Sequence, residues 1–298
     1  MSSLIITKDN FTFKDFKLSL YKPVHIELSS EAKGSINESH RNLQSILSSG
    51  IPVYGVTTGF GKLSHVKINP SEQRKLQLNL VRSHAAGVGQ PVDKGIARTM
   101  MILKLLTFVK GYSGVRLSVV KQIINFLNED IVPVVPEKGS VGASGDLAQL
   151  AHMGLALIGE GDVFYKGKQT ESKLIMNRLG IAPLELEPKE GISLINGTHY
   201  STALAIAILN ISQNLLQCAD IIGALSVESS LSSRNVFNPK IHYLKEHPGQ
   251  RYSAENIWNI LSDSKIVSSH KECEKIQDPY SFRCIPHVHG ASRDCLLY

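Results

Sequence analysis

A mainly α fold is what this sequence predicts, and three observations carry the prediction. Apolar residues recur at helical spacing over several segments; the most regular is Ser118–Glu129, where Val119, Val120, Ile123, Ile124 and Leu127 share one face. The stretch from Tyr200 to about Ser230 is helical by the same test and nearly free of charge, as expected of a helix enclosed by other helices. Strand signals are confined to short pieces, of which Val163–Lys168 reads as a small hairpin turned at Lys166-Gly167.

In chain order, residues 1–30 read as a short extended segment and a loop. Ser29–Ser49 carries a helical pattern with Ile36, Leu43, Ile46 and Leu47 on one side. Residues 51–61, rich in Gly and Thr, form a loop whose backbone must turn sharply or approach something closely. Glu72–Ala86 and Lys94–Lys110 are helical by apolar spacing. Ser118 stands where a cap belongs at the start of the next helix, which stops before Val132-Pro-Val-Val-Pro136. Beyond a Gly-rich stretch another helix starts near Asp146, its cap, and buries Leu147, Leu150, Ala151, Gly154, Leu155 and Ile158. Pro183 and Pro188 mark a loop ending at Leu194–His199. After a break at Pro239, Pro248 and Gly249, the remainder mixes helix with the loop Gln277–Arg283.

At 298 residues, 42% hydrophobic and 19% charged, the chain is large enough for one or two domains with a real core. A disordered chain, a disulfide-stapled miniprotein and a collagen are excluded. Cys218, Cys273, Cys284 and Cys295 make no CxxC pair and no zinc spacing, although the last three recur every eleven residues; reduced structural thiols are expected. His152, His287 and His289 have no matching ligand set, so no metal is expected. The net charge of +6 is scattered and aromatics are only 6%, which argues against a nucleic-acid partner. Lys8 and Asp9 precede any apolar run long enough for a signal peptide, and no window approaches about eighteen uninterrupted apolar residues. No membrane and a cytoplasmic location are expected.

The segment Gly142-Ala-Ser-Gly-Asp146 admits several chemistries. A serine-hydrolase elbow needs Gly two residues after the serine, where Asp146 stands, and a phosphate loop needs a Lys after the glycines. A bland alternative is a Gly-rich helix start. The remaining reading is chemical: in Ala143-Ser144-Gly145 the small side chains let the amide nitrogen of Gly145 reach the carbonyl carbon of Ala143. Cyclisation with loss of two waters, one from the Ser144 hydroxyl, gives a methylidene-imidazolone. At a helix start this electrophile sits where backbone N–H groups favour negative charge.

Together with this segment, Tyr54-Gly-Val-Thr-Thr-Gly-Phe-Gly61, Ser83-His-Ala-Ala-Gly87, Gly139–Gln149, Asn196-Gly-Thr198 and Gln277-Asp-Pro-Tyr-Ser-Phe-Arg283 resemble, in order and at family-like separations, the signature blocks of the aromatic amino acid ammonia-lyases. The histidine ammonia-lyase (histidase) branch is the most similar. The resemblance runs from about residue 20 to the last residue.

It implies an N-terminal active-site domain over 1–198, with short strands, leading into a fumarase/aspartase-like long-helix bundle that begins over 199–298 and is incomplete. It implies that Ala143, Ser144 and Gly145 form the 4-methylidene-imidazol-5-one group (MIO), with no external cofactor. The implied reaction is elimination of ammonia from L-histidine to trans-urocanate by a homotetramer. Tyr54 matches the base that removes the β-proton, and Tyr280 a phenol that contacts the electrophile. Arg283 matches the residue that grips the substrate carboxylate, Asn196 a hydrogen-bonder near it, and Gln277 a polar residue near the substrate ring. Asp146 matches an aid to cyclisation. His84 matches the position facing the substrate side chain, where an imidazole can bond a polar ring; followed by Ala85 rather than Leu, it leans to histidine.

The chain departs from the family at Phe282, where Leu is common, at His287-Val-His289, and in ending where the family continues into its bundle, so apolar faces such as Leu204–Leu216 are expected to be exposed. The alternatives are a tyrosine or phenylalanine lyase or aminomutase, and an inactive fragment or a half that needs a second polypeptide.

Overall fold

The computed structural model describes every residue except Met1, Asn10, Lys271, Cys273 and Tyr298, so the expectation for Cys273 lies outside the described residues. The chain divides into two compact units, residues 1–207 and 208–298. The first runs β1 (Ser2–Ile6), α1 (Phe13–Tyr21), β2 (Val24–Leu28), α2 (Ser30–Ser48), α3 (Gln73–His84), β3 (Val88–Pro91), α4 (Lys94–Val109), α5 (Leu117–Asn128), β4 (Val132–Pro133), β5 (Pro136–Lys138), α6 (Leu147–Leu157), β6 (Asp162–Tyr165), β7 (Lys168–Glu171), α7 (Ser172–Leu179) and α8 (Glu190–Ile195), and it enters α9 (His199–Ser229). The strands make three small sheets: parallel β1–β2, antiparallel β3–β5, and β4-β6-β7. The class is mainly α.

The core of this unit gathers on α4. Ala97, Met100, Met101, Ile102, Leu105, Phe108 and Val109 are all buried, so the helix is enclosed on most sides. Each such large side chain contributes about 1.5–3 kcal/mol through burial. Gly95 lets α4 rest directly on the end of α1, since a Cβ there would lie 1.8 Å from the Leu20 carbonyl oxygen. The expected hairpin is present, with Lys166 and Gly167 both at positive φ, as its two-residue turn requires.

Several local expectations are corrected. The N-terminal segment is not merely extended, because Phe13–Tyr21 forms a helix opened by a Thr12–Asp15 capping box, Thr12 N–H donating to Asp15 at 2.6 Å. Ser118 is not the cap of α5. Arg116 is, held extended while its backbone N–H and its guanidinium both donate to buried Glu190 at 2.7–3.0 Å. On α5 the inward stripe takes Phe126, with Ile124 only half-buried. The loop before Asn196 contains α8, and residues 280–283 form a helical turn rather than loop.

The second unit holds the rest of α9 with α10 (Pro239–His242), α11 (Pro248–Ile260), α12 (Lys265–Ser269), α13 (Tyr280–Arg283) and α14 (Ile285–Leu297). Ala224, Val227, Phe237, Ile257 and Leu261 form its core. α11 and α14 meet at glycines: a Cβ on Gly290 would lie 2.4 Å from the Gln250 Cα. Fully buried Asp220 accepts from Arg293 at 2.6 Å, His289 at 2.8 Å and Asn256 at 2.9 Å, so its charge is compensated. In this unit α9 leaves Ile208, Ile211, Leu215, Ile222 and Leu225 exposed. By length and composition alone α9 could cross a membrane, a feature that a test for uninterrupted apolar runs passes over; buried Asn210 and Asp220 interrupt it.

Candidate active site

Three pieces of the first unit meet around one cavity of about 460 Å³: the 51–61 loop, the end of α3, and the Gly-rich segment before α6 with the turn after α8. Tyr54, Phe60, Leu80, His84, Ser144, Leu147 and Asn196 are among its lining residues. A neighbouring hollow is lined by His84 and the run Gly139–Gly145, so the Ala143-Ser144-Gly145 backbone stands between the two.

The local fold of that tripeptide follows from its glycines. Gly142 and Gly145 have φ of +76° and +83°, which L side chains rarely adopt. Gly145 makes bridge contacts back to Gly142 and Ala143, so the chain doubles on itself across Ser144. A third bridge joins Gly145 to Gly197, close enough that a Cβ on Gly145 would lie 2.3 Å from the Gly197 carbonyl oxygen. The same carbonyl accepts the Asp146 N–H at 2.8 Å. Asp146 occupies the cap position of α6 but does not cap it through its side chain. Its buried carboxylate instead accepts from Ser201, the backbone N–H at 2.8 Å and the hydroxyl at 2.5 Å, which ties this turn to the start of α9.

Tyr54 projects from the 51–61 loop with its ring edge-on to Phe60, and its hydroxyl oxygen accepts the Gly61 N–H at 3.0 Å. Gln77, fully buried, donates to the Gly55 carbonyl at 2.9 Å and accepts from the Ile192 N–H, so one side chain fastens the Tyr54 loop to α8. His84 ends α3. Its Nδ1 lies 2.9 Å from the Leu80 carbonyl oxygen, which can only accept, so Nδ1 carries a proton and Nε2 of the neutral ring is an acceptor.

Of the residues singled out in the sequence, Tyr54, His84, Ser144 and Asn196 line this one cavity, and Ala143 and Gly145 adjoin it. Gln277 and Arg283 line a cavity of about 730 Å³ within the second unit, where Arg283 donates to the Asp278 carbonyl at 3.0 Å; Tyr280 is mostly exposed with Arg283 over its ring. Among the described residues no group of His, Cys, Asp and Glu is placed to hold a metal.

Lys104 escaped the sequence reading. It is fully buried, and burial pushes its ammonium down to about 7, with Asp146 opposing. Beside it, burial and then the Lys104 charge push His199 down to about 3. The signal was present: a lone cation in the apolar run Met100-Met-Ile-Leu-Lys-Leu-Leu106.

Comparison with known proteins identifies the family. The pattern of the family described as aromatic amino acid lyase matches residues 11–298. The histidine ammonia-lyase of Myxococcus xanthus is 41% identical over 99% of this chain and 58% of its own length. Among solved structures, the ergothioneine-degrading ergothionase of Treponema denticola superposes with a TM-score of 0.94 at 28% identity, over 100% of this chain and 59% of that one. The tyrosine aminomutase of Streptomyces globisporus gives 0.91 at 33% identity, over 99% and 59%. The chain thus spans somewhat over half the length of these relatives. From the matched residues, the doubled-back tripeptide and the cavity beside it, the chain belongs to the aromatic amino acid lyase family.

Proposed function

We propose that the chain carries the electrophile-forming part of a histidine ammonia-lyase, which removes ammonia from L-histidine to give trans-urocanate. The observation that supports this most directly is the backbone of Ala143-Ser144-Gly145, folded back on itself with Ser144 facing the cavity that Tyr54, His84 and Asn196 line. The residues fit an MIO group: the turn brings Gly145 against Ala143, and only glycine fits the third position beside Gly197. Once formed, the group supplies an electrophile for the substrate's amino nitrogen.

Side chains of this chain supply further roles. The β-hydrogen of an amino acid is barely acidic and needs a positioned base; Tyr54 takes it, with the Gly61 N–H stabilising its oxygen. His84 presents Nε2 as an acceptor to a ring N–H of the substrate, which phenylalanine lacks. Asn196 bonds the substrate's polar end. By their match to the family's motif, Arg283 is assigned to the substrate carboxylate, Tyr280 to the electrophile and Gln277 to the substrate ring, in a site that the family assembles from several subunits. The working assembly is a homotetramer, for which the exposed apolar face of α9 is suited.

Supplying purified full-length protein, assembled as the homotetramer, with L-histidine and L-tyrosine separately tests this reading. Urocanate absorbance from histidine alone is expected; a cinnamate-type product from tyrosine without urocanate refutes the histidine assignment. A tyrosine lyase or aminomutase is the second reading, because the same Nε2 acceptor also suits a phenolic hydroxyl and a tyrosine aminomutase is 33% identical.

A further inference from the structure

Helix α4 contributes no residue to the lining of that cavity, yet it carries a fully buried lysine, Lys104. Its Nζ donates to two main-chain carbonyls, Ser193 at 2.9 Å and Asn196 at 3.0 Å, both on the stretch from the end of α8 to the turn before α9. One helical turn on, the Thr107 hydroxyl and His199 Nε2 share a hydrogen bond of 2.8 Å. The His199 ring in turn packs on Gly197, where a Cβ would lie 2.4 Å from Cε1. Two side chains of α4 so hold both ends of the Asn196–His199 turn, and Gly197, between those ends, bridges Gly145 and accepts the Asp146 N–H.

We propose that Lys104 is a positioning residue for the electrophile: through the Ser193 and Asn196 carbonyls it sets the Gly197 strut, which holds the Ala143–Gly145 backbone in the doubled-back form that ring closure needs. A lysine side chain has at least two N–H donors whether charged or neutral, so both carbonyls are served in either state. Burial lowers the cost of giving up the proton without releasing the grip. An apolar residue of similar length leaves both carbonyls unpaired in a dry site, and the strut becomes free to shift.

The inference rests on the functional reading above only for its consequence. The test therefore reads conformation and chemistry separately, on Lys104→Met, the milder Lys104→Gln, and Lys104→Arg. Amide hydrogen exchange is followed in peptides covering 139–149, 190–200 and, as a control, 117–128, and intact mass is taken of 139–149. The expected result is at least about tenfold faster exchange in the first two peptides for Met, from the loss of two buried hydrogen bonds, with less for Gln. The control should be unchanged, Arg should restore protection, and the doubly dehydrated fraction should fall in parallel. Wild-type exchange in 139–149 for both Met and Gln overturns the inference, and so does acceleration spread evenly over 117–128. A wild-type peptide without dehydration counts against the functional reading, while the exchange data still decide the role of Lys104.

Discussion

Replacing Gly145 by Ala, with Gly142→Ala as its partner, separates backbone strain from contact at the electrophile-forming turn. Both glycines sit at positive φ, where an L side chain costs roughly 1–2 kcal/mol. A Cβ on Gly142 meets nothing within 4 Å, so strain is its whole cost. On Gly145 it lies 2.3 Å from the Gly197 carbonyl oxygen, which must retreat and weaken the Asp146 N–H bond it accepts, adding about 1 kcal/mol. Gly145→Ala is therefore expected to destabilise the first unit by about 2–3 kcal/mol and Gly142→Ala by about 1–2 kcal/mol. Urea unfolding read by circular dichroism measures both, and intact mass of residues 139–149 reads whether ring closure survives. Equal destabilisation by the two variants, or complete dehydration in Gly145→Ala, refutes the reasoning that Gly197 buttresses this turn.

Three further perturbations probe the rest of the site and the frame that holds it. Unfolded, Lys104 keeps its proton to about 10.5, whereas burial in the fold pushes it down to about 7. Between those values the unfolded chain binds more protons, so stability rises with pH there, by up to on the order of 4–5 kcal/mol. Denaturation curves of wild type and Lys104→Met should differ by this slope, and parallel behaviour from pH 7 to 10 contradicts it. Tyr54→Phe leaves the Gly61 N–H without its acceptor and the substrate without a base; turnover should drop by about a hundredfold or more with little change in melting temperature, and near-normal turnover would remove Tyr54 from the mechanism. Arg116→Met removes the cation from the buried Glu190 carboxylate, leaving it only the backbone N–H groups of residues 116 and 187, and should cost about 3–5 kcal/mol in thermal or chemical denaturation; a cost under about 1 kcal/mol would mean that those N–H groups suffice.

The long helices were legible because their burial is set by spacing that any face-counting test detects: α2, α4, α5, α6 and α9 lie within a residue or two of their expected limits. What stayed hidden depended on partners distant in sequence. α8 is short and follows Lys189, its cap, at φ of +77°, and it is held by Arg116, 74 residues from Glu190, and by Gln77, 115 from Ile192. Arg116 displaces Ser118 as a cap for the same reason. Asp146 was readable as a helix-start residue, but its partner Ser201 lies 55 residues on, and no local rule pairs them. The tripeptide and the Tyr54, His84 and Asn196 blocks were recognisable as motifs; that they line one cavity is knowledge only the fold supplies. Lys104 was missed because a lone charge on a helix ordinarily faces water, and only the packing around α4 shows that this one cannot.

The most direct test of the account is the intact mass of the peptide spanning residues 139–149 from natively purified protein. A mass short by two waters, abolished in Ser144→Ala, is the predicted result. An unmodified mass in correctly assembled protein contradicts the claim that Ala143, Ser144 and Gly145 close into the electrophile.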